Sequence, residues 1–182
     1  MQQPDLEPLA TRTALPEALT VLLQEFPRLQ WESHPNFTYL AEFWMQKHGM
    51  FRKLCDLLKS DLRAYQDKRI GFESYAPRLS RFAGMLLNDL HGHHHIEDAH
   101  YFPRMAQLDP RLELGFALLD ADHHGMDPQL HDMAKGANAV LNGGDPGPFG
   151  EQLAAFHRML SRHLEDEEDL IVPVMLKTGF RG

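Results

Sequence analysis

The chain carries two related segments, HHHIEDAHYFP at residues 93–103 and HLEDEEDLIVP at residues 163–173. Both follow the pattern HxxxE[DE]xxxxP, and every shared position is displaced by 70 residues. Four residues along an α-helix turn about 400°, so the histidine and the glutamate of each segment lie on one face, one turn apart. The repeat therefore predicts two helices that each present an imidazole and a carboxylate to a shared site.

Outward from these segments, apolar residues recur at helical spacing almost throughout, and runs of β-branched residues are few. This periodicity predicts an all-α protein. The expected helices cover residues 15–26, 35–66 and 74–102, a stretch opening at Asp109–Pro110, and a stretch that follows a loop at residues 142–148. Pro128 is expected to kink the helix that contains it, because proline removes one helical hydrogen bond.

Four long amphipathic helices joined by short loops favour an antiparallel up-down four-helix bundle. We assign this bundle to residues 36–182. Residues 1–35 then form an N-terminal extension with a short helix.

The other two long helices each add a histidine to an otherwise apolar stripe. His48 is the polar member of the stripe on the first long helix, and His123 lies in phase with Met126 and Leu130. His124 is the alternative to His123, because the tripeptide HGM at residues 48–50 recurs at residues 124–126. Stripe continuity favours His123.

The candidate metal ligands therefore come from all four long helices. They are His48, His93, Glu97, His123, His163 and Glu167. Imidazole and carboxylate without thiolate suit iron, manganese or zinc, whereas magnesium and calcium prefer oxygen ligands. Two carboxylates on facing helices are well placed to bridge two ions, so a dinuclear site is expected.

At these residues the sequence resembles the hemerythrin-like, or HHE cation-binding, family over about residues 36–178. The resemblance implies a four-helix bundle with an oxo- or hydroxo-bridged non-haem di-iron centre. By the family pattern, one iron is served by His48 and His93, and the other by His123 and His163. Glu97 and Glu167 would be the bridges.

One departure from the family pattern bears on function. Oxygen-carrying hemerythrins have two histidines four residues apart on the third bundle helix, whereas Asp127 stands four residues after His123 here. The chain resembles instead the subfamilies associated with iron handling, nitric oxide or redox stress. Its expected small ligands are O2, nitric oxide or peroxide, or iron itself, and Asp127 is a candidate weak additional ligand.

The remaining polar residues near the repeat are expected to lie outside the ligand set. His91, His94, His95 and His100 are expected to be exposed or to support the ligands from outside, and Asp98 and Glu168 are the alternative bridges. Cys55 is expected to be a small core residue.

Composition narrows the class of protein further. The 182 residues suit one domain, and a net charge of -8 disfavours nucleic acid and membrane surfaces as partners. A single cysteine excludes an internal disulfide framework, and without a long apolar run we expect an unexported, cytoplasmic protein.

No protein partner is legible in the sequence, and the pattern favours a metal and small-ligand binding protein over a dedicated enzyme. The alternatives are a non-redox metal-binding structural or sensor module and, more weakly, a mononuclear metal hydrolase.

Overall fold

The computed structural model describes residues 7–182, and within this range its regular structure is entirely helical. The α-helices are α1 (Val21–Glu25), α2 (Tyr39–Gln66), α3 (Phe72–Ile96), α4 (Phe102–Ala106), α5 (Glu113–Leu141) and α6 (Pro146–Thr178). Short 3-10 turns cover Glu17–Leu19, Arg28–Gln30 and Pro110–Leu112, and a π-helical turn covers Glu97–Tyr101. The predicted all-α class is confirmed.

The four long helices form a closed bundle in which α2 and α5 each pack against both α3 and α6. Two apolar clusters fill its ends. The upper cluster contains Trp44, Phe102, Leu119 and Leu170, and the lower cluster contains Phe51, Leu90, Met126 and Leu160. The chain passes from the upper to the lower cluster along α2 and α5 and in the opposite direction along α3 and α6. Neighbouring helices are therefore antiparallel, as predicted.

A polar layer separates the two clusters. On α2, α5 and α6, and on α3 together with the π-helical turn and α4 that follow it, the buried histidines and glutamates lie between residues of the upper and the lower cluster. The layer consists of His48 on α2, His93 and His94 on α3, Glu97 in the π-helical turn, His123 on α5, and His163 and Glu167 on α6. Apolar packing above and below thus holds these side chains in the middle of the bundle.

Several predicted boundaries were wrong. The helix expected over residues 74–102 is α3 followed by the π-helical turn and α4, and the single helix expected over residues 15–26 is a 3-10 turn followed by the short α1. The helix expected from residue 35 begins at Tyr39. A π-helical turn inserts one residue into the helical repeat, which apolar periodicity alone does not reveal.

The proline-rich loop is also shorter than predicted. Helix α6 begins at Pro146, and the Asp145 side chain accepts a hydrogen bond from Gly147 N at 2.9 Å as its N-cap. Prolines are tolerated in a first helical turn, where the backbone N–H has no helical partner. Asp109 has the expected capping role before Pro110, and α5 continues through Pro128.

The N-terminal segment packs on the bundle rather than standing apart from it. Leu15, Leu19 and Leu22 belong to the upper cluster, and α1 packs against α6. Arg12 is 4% exposed and lies between α5 and α6. None of the helices described here is long and apolar enough to cross a lipid bilayer.

Candidate metal centre

The polar layer contains two groups of side chains in which one donor atom from each residue lies within 4.8 Å of the others. The first group is His48, His93, Glu97 and Glu167, and the second is His94, His123 and His163. Nε2 of His48 lies 3.2 Å from Nε2 of His93, and Nε2 of His123 lies 3.0 Å from Nε2 of His163. Two nitrogens each about 2.1 Å from one ion and at right angles to each other would be about 3 Å apart.

The two glutamates lie between these groups, and each has one oxygen on either side. Glu97 places Oε1 2.8 Å from His93 Nε2 and Oε2 3.6 Å from His123 Nε2. Glu167 places Oε1 3.3 Å from His48 Nε2 and Oε2 3.4 Å from His163 Nε2. Each carboxylate therefore spans from the first group to the second.

Three of the imidazoles are oriented by a carboxylate on their outer nitrogen. His48 Nδ1 lies 3.0 Å from Glu168, His123 Nδ1 lies 2.7 Å from Asp98, and His163 Nδ1 lies 3.4 Å from Asp122. In a neutral imidazole, donation of the Nδ1 proton to a carboxylate leaves the Nε2 lone pair free on the inner side. This carboxylate–imidazole arrangement is the usual support of metal-binding histidines.

Asp98 and Glu168 thus lie on the outer side of the histidines and do not take the central positions of Glu97 and Glu167. They are the second acidic residues of the two repeats, and each contacts a histidine of a neighbouring helix, His123 on α5 and His48 on α2. The repeat therefore encodes an inner carboxylate and an outer one in adjacent positions.

Arginines of the N-terminal segment anchor two of the outer carboxylates. Arg12 hydrogen-bonds both oxygens of Asp122, and its Nε donates to Asp166 at 2.8 Å. Arg28 Nη1 donates to Glu168 at 3.0 Å. Sequence reasoning missed both contacts, because long-range ion pairs leave no periodic signal in a sequence.

The electrostatics of the layer hold its groups in distinct protonation states. Burial disfavours a charged His163, but its contacts with Asp122 and Glu167 outweigh burial and raise the pKa of His163 to about 9. Burial lowers the pKa of His93 to about 3 and that of His94 well below its usual value. Burial and the charge of Glu167 raise the pKa of Glu97 well above its usual range.

His94 is the residue whose placement differs most from expectation. Predicted to be exposed or supporting, it is 4% exposed, and its ring stacks on that of His123 with centroids 3.9 Å apart. The reason is that α3 packs against both α2 and α5, so residues about 100° apart on α3 each face one neighbour. The sequence signal for the buried position of His94 was Leu90, an apolar residue four positions earlier, which lies one helical turn away on the same face of α3.

Burial shows which of the other alternative residues face the interior. His123 is 2% exposed, whereas the side chain of His124 is 73% exposed, so the stripe argument identified the inward residue. Asp127, offered as a weak ligand, is exposed and lies outside both groups. His91, His95 and His100 are exposed as expected, and Cys55 is buried in the lower cluster.

Several buried donor atoms of the layer are unpaired in ways that suit a cation. Within residues 7–182, five buried atoms of this layer have no hydrogen-bond partner: both oxygens of Glu97, Oε2 of Glu167 and both ring nitrogens of His94. Glu97 Oε1 approaches His93 Nε2 to 2.8 Å, but the two groups are not aligned for a hydrogen bond. Unpaired buried polar atoms cost free energy, and a bound cation satisfies both carboxylate oxygens and imidazole lone pairs. The donor set and its burial therefore fit a metal centre.

A family model for the hemerythrin HHE cation-binding domain matches residues 39–175, well over half of the chain. The chain belongs to this family. The matched range begins with α2 and ends within α6, so it contains every residue of the two groups, while Arg12 and Arg28 of the N-terminal segment lie outside it. No curated protein and no solved structure is significantly similar to the chain.

Membership of the hemerythrin HHE family and the two donor groups together indicate a cation-binding bundle. The resemblance stated from the sequence covered residues 36–178, close to the matched range.

Proposed function

We propose that this hemerythrin-family protein holds two iron ions and binds or responds to O2, nitric oxide, peroxide or iron itself. The observation that supports two ions is the position of Glu97 and Glu167, each with one oxygen beside an imidazole of either group. In this proposal the two glutamates bridge, His48 and His93 hold one ion, and His123 and His163 hold the other.

His94 supplies a fifth imidazole to the second ion in this proposal. Its ring stacks on His123 and lies edge-on to His163, with centroids 5.5 Å apart. The two histidines four residues apart that typify oxygen carriers are missing from α5, and the extra imidazole comes from α3 instead. The two ions are therefore unequal in nitrogen ligands.

The ligand chemistry favours iron, with manganese or zinc as alternatives. The groups contain imidazoles and carboxylates, and Cys55 lies apart from them in the lower cluster with its thiol pKa raised to about 12 by burial. Such mixed nitrogen and oxygen sites bind redox-active iron as well as zinc. When bound, iron supplies an electron donor and an open coordination position for a small ligand.

An apolar pocket gives a small ligand access to the layer. A cavity of about 380 Å³ lies against His93 and Glu97, and its walls include Phe43, Trp44 and Ile96. Uncharged diatomic molecules enter apolar surroundings without the desolvation cost of an ion. Trp44 also donates a hydrogen bond from Nε1 to Glu167 Oε1, which fixes the orientation of that carboxylate.

The experiment that tests this proposal is anaerobic loading with ferrous iron followed by exposure to air. We expect ligand-to-metal charge-transfer absorption to develop in the near ultraviolet, because the loaded centre reacts with O2. A protein that takes up metal, stays colourless and only becomes more resistant to heat would support the alternative, a non-redox structural or sensor module.

The ligand assignment has its own variants. Glu97→Ala and His163→Ala should each abolish binding of a pair of ions, because each removes a side chain that the proposal assigns to the centre. Glu165→Ala is the matched control, since Glu165 is an exposed glutamate on α6 two residues from both His163 and Glu167. An unchanged metal content in the first two variants would refute the assignment.

A further inference from the structure

The histidines crowded around residue 93 surround a second cavity, on the opposite side of α3 from the apolar pocket. This cavity, of about 100 Å³, lies between α3 and α5, and the residues lining it are histidines and aspartates. At its mouth are His91 and His95 from α3 and His124 and Asp127 from α5, all of them exposed. All the residues that line this cavity are therefore of types that bind metal ions.

The cavity leads from solvent to the buried layer. Its inner wall is formed by His94 and His123, which are 4% and 2% exposed, and Asp98 lies between the mouth and His123. Neither ring nitrogen of His94 has a hydrogen-bond partner in the part of the chain that the structure describes. A buried, unpaired imidazole at the inner end marks the cavity as a route to a ligand position.

One residue at the mouth of the cavity, His124, is oriented so that it can bind a cation. His124 donates from Nδ1 to the backbone carbonyl of Asp120 at 2.8 Å, so in its neutral form the lone pair is on Nε2. Asp127 adds a carboxylate three residues further along α5, about one turn away. Imidazole and carboxylate that remain in contact with water form weak, quickly exchanging sites for divalent transition metals.

We propose that this cavity is the entry port for the metal ion: a divalent transition-metal cation binds transiently at the mouth and passes to His94 and His123. The inference rests on the proposed metal centre and adds a function for histidines that the centre does not use. The pocket on the other side of α3 has mainly apolar walls, and a cation enters such surroundings only at a desolvation cost. Neutral ligand and cation thus have separate routes.

The test is the rate of loading of the metal-free full-length protein with Co²⁺, followed by the visible absorption of bound cobalt. The port variant is His124→Gln/Asp127→Asn. The control is His131→Gln/Asp132→Asn, which removes an exposed histidine and an exposed aspartate from the same helix outside the cavity. We expect the port variant to load about tenfold more slowly than the control, and both to reach the wild-type final ratio of cobalt to protein.

A second port variant, His91→Gln/His95→Gln, removes the ligands of the mouth that come from α3 and is expected to slow loading in the same way. Equal loading rates in the port and control variants would overturn the port. A lower final cobalt ratio in the port variants would also overturn it, because the mouth residues would then belong to the resident centre. Failure of the wild-type protein to take up cobalt would refute the proposed centre itself.

Discussion

At the scale of single residues, the proposed metal centre depends on which nitrogen of each imidazole is free. The carboxylates of Glu168, Asp98 and Asp122 contact Nδ1 of His48, His123 and His163. This fixes the tautomer and directs Nε2 inward. His93 and His94 are kept neutral instead by burial, which lowers the pKa of each.

His94→Gln should weaken binding of one of the two ions by about tenfold or more and leave the other unchanged, because His94 stacks within the second group only. Competitive titration against a chromophoric chelator resolves the two affinities. His95→Gln is the matched control, since His95 is the neighbouring residue and is exposed. Equal affinities in the two variants would remove His94 from the ligand set.

The six residues predicted as ligands all lie in the polar layer, because helical periodicity places polar residues of apolar stripes in the interior. The buried position of His94 was not predicted, since the stripe of α3 was treated as facing one direction and this helix faces both α2 and α5. The outer role of Asp98 and Glu168 was equally hidden, because it depends on contacts with other helices.

At the scale of the elements, helix termini and the N-terminal segment stabilise the frame of the site. Asp109 caps the turn before α5 and also accepts hydrogen bonds from the Arg111 side chain and, at 2.7 Å, from Lys177 Nζ at the end of α6. The cap thus joins the start of α5 to the end of α6.

The contacts of Asp109 predict a specific pH dependence. Hydrogen bonds from Arg111 and Lys177 hold the pKa of Asp109 well below its usual range. A depressed pKa means that the carboxylate stabilises the fold above its ordinary pKa of about 4 and loses this contribution as pH falls below that value.

Asp109→Asn should therefore lower the free energy of unfolding by about 1 kcal/mol or more near neutral pH, and the difference from wild type should shrink on acidification. Urea unfolding across a pH series measures it. Asp145→Asn, which changes the exposed cap of α6 without a buried ion pair, is the control. A difference that stays constant down to low pH would contradict this account.

The N-terminal segment should contribute to stability through one buried side chain. Arg12→Met leaves Asp122 and Asp166 without their common partner, and breaking a buried ion pair in this way costs about 3 kcal/mol or more. Urea unfolding of the metal-free protein measures the loss.

Arg69→Met is the control for Arg12→Met, because Arg69 and its partner Asp67 are both largely exposed and a surface pair of this kind contributes about 1 kcal/mol or less. Equal free energies of unfolding in the two variants would mean that the N-terminal segment does not stabilise the bundle. The extension was predicted from sequence, but its buried arginine was not, since nothing in residues 1–35 indicates a partner on α5 or α6.

At the scale of the whole molecule, the bundle is two apolar clusters held apart by a polar layer. Sequence reasoning predicted the all-α class, the number of long helices and their antiparallel directions, because these follow from periodicity and short loops. It missed the π-helical turn at Glu97–Tyr101, which begins at a glutamate of the layer. Such turns occur often at functional sites and arise from local packing that a stripe does not record.

Side chains from all four long helices meet in the polar layer, so the stability of the bundle depends on their contacts there. Its unpaired donor atoms, on Glu97, Glu167 and His94, weaken the metal-free protein, and ions bound there would link all four long helices. Ligand binding to the native state alone raises stability by about 2.7 kcal/mol at a hundredfold excess over Kd. Metal loading should accordingly raise Tm.

The most direct test of the central claim is the iron content per chain after anaerobic loading with ferrous iron and removal of the excess, by elemental analysis and protein quantitation. We predict about two iron ions per chain, as expected for two carboxylates bridging a pair of ions. A ratio of about one, or the absence of bound iron, would contradict the two-ion centre.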